Sequence, residues 1–476
     1  MKAFDYIAGL NSKKLIAIIF ILTAVSYVNS LGVYFIWDDY SLVVTNPNIK
    51  TWNISNIFTA GNDIGSGAYK NPLYFRPLQT LSYSLDYKFW KLNPFGYHLS
   101  SVALHFLTAL LLYLFILFLL QDKVFSFLGA ALFAVNPVFT STVTYISGRA
   151  DILAVFFTIL MIMSFAYSLT HKLNISYYII SVLSFSCALL SKEISAISLI
   201  FLFLYDRLMN KSGISRKKVL FYIPYVLVLL AFFYLKPSSL VPGWKVAAHN
   251  VFFTFLTLIK ALLIYTLLAI LPFQLRMGRS ITVVNSVLDI WNLISLVFVI
   301  ILIGLSVFLR KKNKLLITGL LWFYLPLFIL ALFNSFFAWR GNEMLLPEHN
   351  LYFSYIGFLI ALLAFLKYLS QKLNLKEIIT IVLLFVILAY SMLTISQNLR
   401  WQDEIKFYEG ILKYSRNSAF DYMIYVNLGY AYERQRKYKQ AQGCFIRAAE
   451  LSQGDPYFYN TLAAFYLRLQ NQQGHP

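Results

Sequence analysis

The sequence predicts an all-α polytopic membrane protein of about 11–13 transmembrane helices, carrying a short C-terminal helical repeat. Three observations predict it. Hydrophobic residues make up 59% of the 476, with 43 Phe and 34 Tyr, whereas charged residues are only 13%. Apolar runs, many of them near the 18 or so residues that a bilayer crossing takes, follow one another through residues 1–399. From 400 to 476 charges return, the long runs cease, and a 34-residue period begins.

The runs are 15–36, 99–120, 124–140, 152–169, 176–190, 194–205, 219–235, 251–271, 290–309, 315–333, 351–366 and 378–395. Several are short, which marks them as tilted, merged or re-entrant. The first follows Lys13 and Lys14, and its length and the quick return to further runs read as an uncleaved anchor. A formal charge of +20 would suit a nucleic-acid binder, yet the basic residues cluster at loop ends. The clusters are Lys211, Arg216, Lys217 and Lys218; Arg310, Lys311, Lys312 and Lys314; and Lys367, Lys372 and Lys376. That is the positive-inside pattern, and it accounts for much of the charge without nucleic acid. Cys187 and Cys444 build no disulfide framework.

With the basic clusters in the cytoplasm, the segment 37–97 lies outside and five runs return the chain inside at 211–218. Three runs then separate two inside clusters, and an odd number cannot do so. The run 251–271, interrupted by Lys260, is expected to be the re-entrant one. The chain after Arg400 then lies outside. So do Asp38–Asp39, the SGRAD stretch at 147–151, the SKE triplet at 191–193 and LPEHNLY at 346–352.

In the tail, Tyr425, Leu428, Gly429 and Tyr432 recur as Tyr459, Leu462, Ala463 and Tyr466, with Ala441, Phe445 and Ala448 between them. Period and identities together match the tetratricopeptide (TPR) pattern, with Pro456 late. About one and a half repeats are too few for an independent solenoid, so the tail should pack on the membrane domain or on a partner. The helix around 401–414 is expected to dock it.

Charges are costly in hydrocarbon, so Asp38 and Asp39 mark where the chain leaves the membrane. They are either a hydrated cap or part of a reactive centre, and the long loop that holds them favours function. Arg76, Arg149 and Lys192 are the cations that topology puts on the same face. A purely structural role is open to each: Arg149 pairs with Asp151, or Lys192 and Glu193 mark a tight turn. His98 and His105, seven apart, share a helix face but supply too few ligands for a metal site on their own.

Five stretches in order, WDDYSLVVTNPNI, FRPLQTLSYSLDYKFWKLNPFGYHLSSVALH, NPVFTSTVTYISGRADILA, LLSKEISAIS and LPEHNLYFSYIGF, followed by the repeat, resemble the transmembrane, TPR-containing O-mannosyltransferase family of the GT-C superfamily. The resemblance implies a membrane glycosyltransferase that moves a sugar, mannose first, from a polyprenyl-phosphate carrier to a hydroxyl acceptor on the non-cytosolic face. It implies Asp38 as general base and Asp39 in acceptor contact, metal contact or orientation. For the carrier phosphate and sugar it implies a site among Arg76, His98, His105, Arg149, Asp151, Lys192, Glu193, Glu348 and His349. At Glu348–His349 the family has Glu-Arg, so a permanent cation is lost here. Arg276 and Arg279 border a lipid entrance or serve as interfacial anchors. Metal dependence stays open, a divalent ion being compatible with the acidic pair. The resemblance implies a protein or peptide acceptor, with the TPR either binding it or serving as a small structural appendage. No nucleic acid is a partner.

A transporter would need charges at span centres and inverted repeats, and apart from Lys260 neither is evident. Two more functions fit the same pattern: a non-catalytic TPR scaffold, and a related enzyme using another lipid-linked sugar or a glycan or lipid acceptor. The short tail inclines the assignment to a bacterial plasma membrane over an endoplasmic-reticulum membrane.

Overall fold

Among the described residues of the computed structural model, eight helices are long and apolar enough to cross a membrane. They are Ser12–Gly32, Pro94–Leu120, Ile146–Thr170, Val251–Ile270, Ile290–Leu309, Lys314–Ser335, Glu348–Leu373 and Lys376–Leu399. A bent pair, Lys123–Ala134 and Pro137–Val143, meeting at 41°, forms either a broken ninth span or a re-entrant loop. Pro137 has no N–H to continue the ladder, and the Asn136 side chain restarts it by accepting from the Val138 N–H. The same Asn-Pro start opens the helices at Pro47 and Pro94, where Asn46 and Asn93 cap and proline supplies the first turn. With the bent pair as one span and two shorter apolar helices, Ile175–Ser191 and Leu220–Leu235, the count reaches eleven, the lower end of the expected range.

The structure describes residues 2–59, 75–170, 174–209, 219–236, 250–309, 313–337, 339–340, 342–415, 420–452 and 456–473. The basic clusters at 211–218 and 310–312, and part of the first long loop, lie outside the described residues. Two expectations about the runs are corrected. The run expected to turn back is an unbroken 20-residue helix, Val251–Ile270. Lys260 does not interrupt it, because its ammonium donates to the carbonyl and hydroxyl of Thr282 at 3.2 and 3.1 Å. Among the three runs between the basic clusters the short one is instead the first, whose α-helix Ile223–Leu235 has 13 residues. The run at 194–205 is a 3-10 turn, Glu193–Ile197, leading into a 12-residue helix, Ser198–Met209, too short to span.

Polar side chains join the spans where apolar packing alone gives little specificity in lipid. The hydroxyls of Ser26 and Ser391 lie 2.8 Å apart. Asn398 donates to the Ser26 carbonyl at 2.8 Å and accepts from the Thr144 hydroxyl at 2.6 Å. The first and last spans are thereby tied together, which brings the first loop beside the tail. At another crossing, a Cβ on Gly357 would meet the Phe323 nitrogen at 2.4 Å, and one on Gly319 the Ala361 nitrogen at 2.5 Å. Only glycine lets these two backbones approach so closely.

A three-stranded antiparallel sheet is the one non-helical element among the described residues, with strands β1 (Ser280–Thr282), β2 (Trp339–Arg340) and β3 (Glu343–Leu345) in the order β1-β3-β2. Ser280 faces Leu345 and Thr282 faces Glu343 across β1 and β3. The tail is four helices, Glu404–Tyr414, Asp421–Arg434, Tyr438–Leu451 and Pro456–Gln473. Phe445 fills the space above Gly429, where a Cβ would come within 2.7 Å of its ring. Ala441 and Ala448 are buried beside it, and Phe465 packs on the same ring at 5.0 Å. Small and large residues at the repeat positions thus interlock two helical hairpins.

One buried cation bolts three helices at the loop end of the bundle. Arg149 is wholly buried; it pairs with Asp86 at 2.5 Å and donates to Ser101, Ser82 and the Tyr97 carbonyl. Its guanidinium also lies over the Tyr83 ring, 4.8 Å from the centroid. Removing one member of such a pair leaves an uncompensated buried charge. Arg149→Met should therefore destabilise the chain by about 3–5 kcal/mol. Thermal unfolding in detergent checks this, and adding Asp86→Asn should recover part of the loss, since no charge is then left alone.

Candidate active site

The chain leaves its first span through a left-handed residue. Trp37 has φ 54°, a conformation that costs a non-glycine residue about 1–2 kcal/mol. The turn points the next two carboxylates in different directions. Asp39 is buried, and its Oδ1 accepts from both the N–H, at 2.8 Å, and the hydroxyl of Ser147. Its Oδ2 accepts from the Ile36 N–H at 3.1 Å. Burial pushes the Asp39 carboxyl up to about 7, against the pull of these hydrogen bonds. Asp39 is thereby committed to joining the first loop to the SGRAD turn.

Asp38 is only half-buried. Its backbone N–H donates to the Tyr145 hydroxyl at 3.2 Å, and its carboxylate accepts from the same hydroxyl. Burial raises its pKa to about 6, opposed by Tyr145 and by the positive charge of Arg76. Tyr145 itself is driven well above its ordinary value, first by burial and then by Asp38 and Asp39, so its hydroxyl stays a proton donor. A carboxylate poised near neutrality beside a fixed phenol is suited to accept a proton.

Two cations stand on the same side. Arg76, just before the helix Pro77–Trp90, approaches Glu193 at 3.4 Å and is mostly buried. Lys192 pairs with Asp151 at 2.6 Å, also buried. Burial lowers the Lys192 ammonium while Asp151 opposes the shift. Burial works to raise Glu193, but Arg76, a backbone hydrogen bond, Lys236 and Lys192 together outweigh it and hold the carboxyl below the usual range. His349 comes within electrostatic range of Lys192, Asp151 and Arg76. The first loop, the SGRAD turn, the SKE triplet and the segment at 348–349 therefore meet at one end of the bundle.

Other candidates are placed differently. Arg149 does not pair with Asp151 and does not face the cations; its donors are spent on Asp86, Ser82, Ser101 and Tyr97, so it is closed to a phosphate. Asp151 belongs to Lys192 instead. His98 bonds the Val33 carbonyl at 3.0 Å and fixes the end of the first span. His105 bonds the Tyr352 hydroxyl and the Ala134 carbonyl inside an aromatic cluster with Tyr27, Phe133 and Phe139. Both are core histidines held by their neighbours. Glu348 turns toward the segment 276–279, accepting from the Arg276 N–H at 3.1 Å and from Arg279 at 2.8 Å. Arg279 is thereby a clamp on Glu348. Among the described residues no group of three or more His, Cys, Asp or Glu is arranged to hold a metal.

The tail reaches into this site. The Tyr408 hydroxyl accepts from the strained Trp37 N–H at 3.2 Å, and the two rings lie 6.0 Å apart. Trp401 stacks on Tyr145 at 5.8 Å, and Arg434 covers the Tyr40 ring at 4.4 Å. Val33, Ile36 and Tyr145 share one buried cluster with Trp401, Ile405, Phe407 and Tyr408. Tyr145 and Ser147 sit inside a stretch the sequence had singled out, and their neighbours drew attention away from them. Nothing in the period of the tail points to Tyr408.

With that geometry in hand, comparison with known proteins is informative. Residues 77–240 match the family model described as dolichyl-phosphate-mannose-protein mannosyltransferase. The mouse protein O-mannosyl-transferase TMTC3 is 24% identical over 94% of this chain and 52% of its own length. The Caenorhabditis elegans protein O-mannosyl-transferase F38B6.6 is 23% identical over 86% of the chain and 58% of its own. Human TMTC2 is 34% identical over 29% of the chain and 17% of its own. In sequence the chain is similar to these protein O-mannosyl-transferases. It spans about half the length of TMTC3. The matched region 77–240 contains Lys192, Glu193 and Asp151, whereas Asp38 and His349 lie outside it. These relatives are animal proteins, which lends nothing to the bacterial membrane expected from the tail's length.

Tyr408→Phe keeps the ring and removes the acceptor for the Trp37 N–H. A lost hydrogen bond of about 0.5–1.5 kcal/mol should speed amide exchange at Trp37 and Asp38 several-fold while leaving the membrane helices unchanged. Hydrogen–deuterium exchange read on a peptide spanning 33–44 checks this; unchanged exchange there would mean that the tail does not hold the loop.

Proposed function

We propose that this chain transfers mannose from a polyprenyl-phosphate carrier to a hydroxyl group of a protein, with Asp38 as general base. The observation that carries the proposal is the half-buried Asp38, raised to about 6 and bonded to Tyr145, with Arg76 close enough to stabilise its charge. The family model and the names of the relatives support the sugar and the protein acceptor.

Asp38 takes the proton of the acceptor hydroxyl as its oxygen attacks the anomeric carbon. The bond from that carbon to the carrier phosphate breaks, and the phosphate oxygen leaves with the electron pair. Negative charge grows on the phosphate, where Arg76 and Lys192 supply positive charge. His349, where the family has arginine, faces the same two cations and would add a hydrogen bond. One carboxylate suffices for such a displacement, which inverts the anomeric centre. Asp39, held by three hydrogen bonds, orients the turn that presents Asp38. The non-cytosolic face, with the tail on that side, is part of this proposal and is supported by the basic residues of 310–314 and 367–376 at the opposite ends of the spans.

Purified protein given polyprenyl-phosphate mannose and a serine- and threonine-rich peptide should transfer the sugar, and Asp38→Asn should lower kcat by about 10²–10⁴-fold. Equal turnover by the two proteins would remove Asp38 as base. A base must be deprotonated, so activity should fall as pH drops through about 6, the value to which burial raises Asp38. Tyr145→Phe removes a hydrogen bond that favours the carboxylate, so the midpoint of that fall should move to higher pH. Orientation is tested with Lys439→Cys in a chain whose Cys187 and Cys444 are alanine; labelling only from the cytoplasmic side would place the tail on the other face.

A further inference from the structure

A groove opens between the small sheet and the tail, beside the proposed site. It has a volume of 530 Å³, within the roughly 300–1,000 Å³ of ligand-binding clefts. One wall is the face of β1 and β3 that carries Ser280, Thr282, Glu343 and Leu345. The opposite wall is tail helix: Ile411, Lys413, Met423 and Ile424. Trp37, the residue before Asp38, lines one part of it. Two parts of the chain far apart in sequence build this groove, and the proposed base adjoins one of its lining residues.

Its chemistry narrows the occupant. Ser280 and Thr282 are spaced i, i+2 on one face of a strand, so they meet every second residue of an extended segment laid along it. Leu345 opposite Met423 and Ile424 offers apolar contact for side chains between the polar positions. Charges of both signs, Arg276 and Lys413 with Glu343 and Asp421, line the groove without favouring one sign of ligand. Arg276 lies in electrostatic range of Glu343 on the sheet wall and of Asp421 on the tail wall. The cations proposed to meet the carrier phosphate, Arg76 and Lys192, are not among the residues that line this groove.

We propose that this groove binds the acceptor as an extended polypeptide segment and leads its hydroxyl side chain to Asp38. The assignment rests on the transferase reading, and it names the class and place of that reaction's second substrate. In it the tail serves as one wall of the acceptor site rather than as a separate recruiting module.

The test uses the 476-residue chain with a photo-crosslinking p-benzoylphenylalanine at Gln274 or at Lys413. Both positions are exposed and lie on opposite walls, so neither replacement should disturb the fold. The probe is a biotinylated, unstructured peptide rich in serine and threonine, offered to each protein with and without Asp38→Asn. Crosslinking from both positions, competed by unlabelled peptide and retained in Asp38→Asn, is the expected result. Ser280→Trp and Met423→Trp, one from each wall, should each raise KM for the peptide about tenfold, equivalent to about 1.4 kcal/mol, with KM for the sugar donor unchanged. Crosslinking from neither position, or a rise in donor KM without a rise in peptide KM, would overturn the groove. A protein that crosslinks but transfers no mannose retains the groove and sinks the transferase reading. One that transfers without crosslinking does the reverse.

Discussion

The structure around the site depends on how five consecutive residues, Ser147 to Asp151, distribute buried polar bonds. Ser147 holds Asp39 and with it the exit of the first span. Arg149 holds Asp86, Ser101 and Tyr97, and so the helices that follow the first loop. Asp151 holds Lys192 at the end of the helix Ile175–Ser191. A buried charge without a partner costs several kcal/mol, so no one of these segments can shift without breaking a bond that its neighbour also needs. Every second residue of one short turn thus fixes a different, distant part of the chain.

The two aspartates show how environment separates adjacent, identical groups. Asp39 accepts from two backbone N–H groups and a hydroxyl, and these bonds leave it a structural member. Asp38 keeps a half-exposed carboxylate and one phenol, with a cation near enough to be felt. Both are raised by burial, and Asp38 is the more exposed of the two. The left-handed Trp37 between span and pair makes the difference, because it sets which way each side chain leaves the backbone.

Much of this was legible in the sequence. Apolar runs and loop-end charges pointed to a helical membrane chain, and the four polar segments that the charge rule put together do meet. The 34-residue recurrence correctly marked which tail positions are small and which are large, as Phe445 above Gly429 demonstrates. Pairings were not legible. Arg149 and Asp151 are two apart on the chain, and nearness suggested a bond, but side chains there diverge and each finds a partner from another helix. Lys260 looked like a break in a span because the sequence does not reveal that Thr282 waits for it. Tyr408 went unread for a similar reason. A hydroxyl accepting from a backbone 371 residues away leaves no periodic trace.

That separation has a consequence for biosynthesis. Trp37 and Asp38 leave the ribosome early, whereas Tyr408 and Trp401 follow only after all the spans between them. Until then the strained turn lacks the acceptor for its N–H, and Tyr145 lacks the ring that stacks on it. The geometry around Asp38 is therefore finished late, after the membrane helices are in place. Until Trp401 and Tyr408 emerge, a nascent chain carries the Asp38 carboxylate in an unassembled setting, so this local geometry follows docking of the tail rather than insertion of the first span.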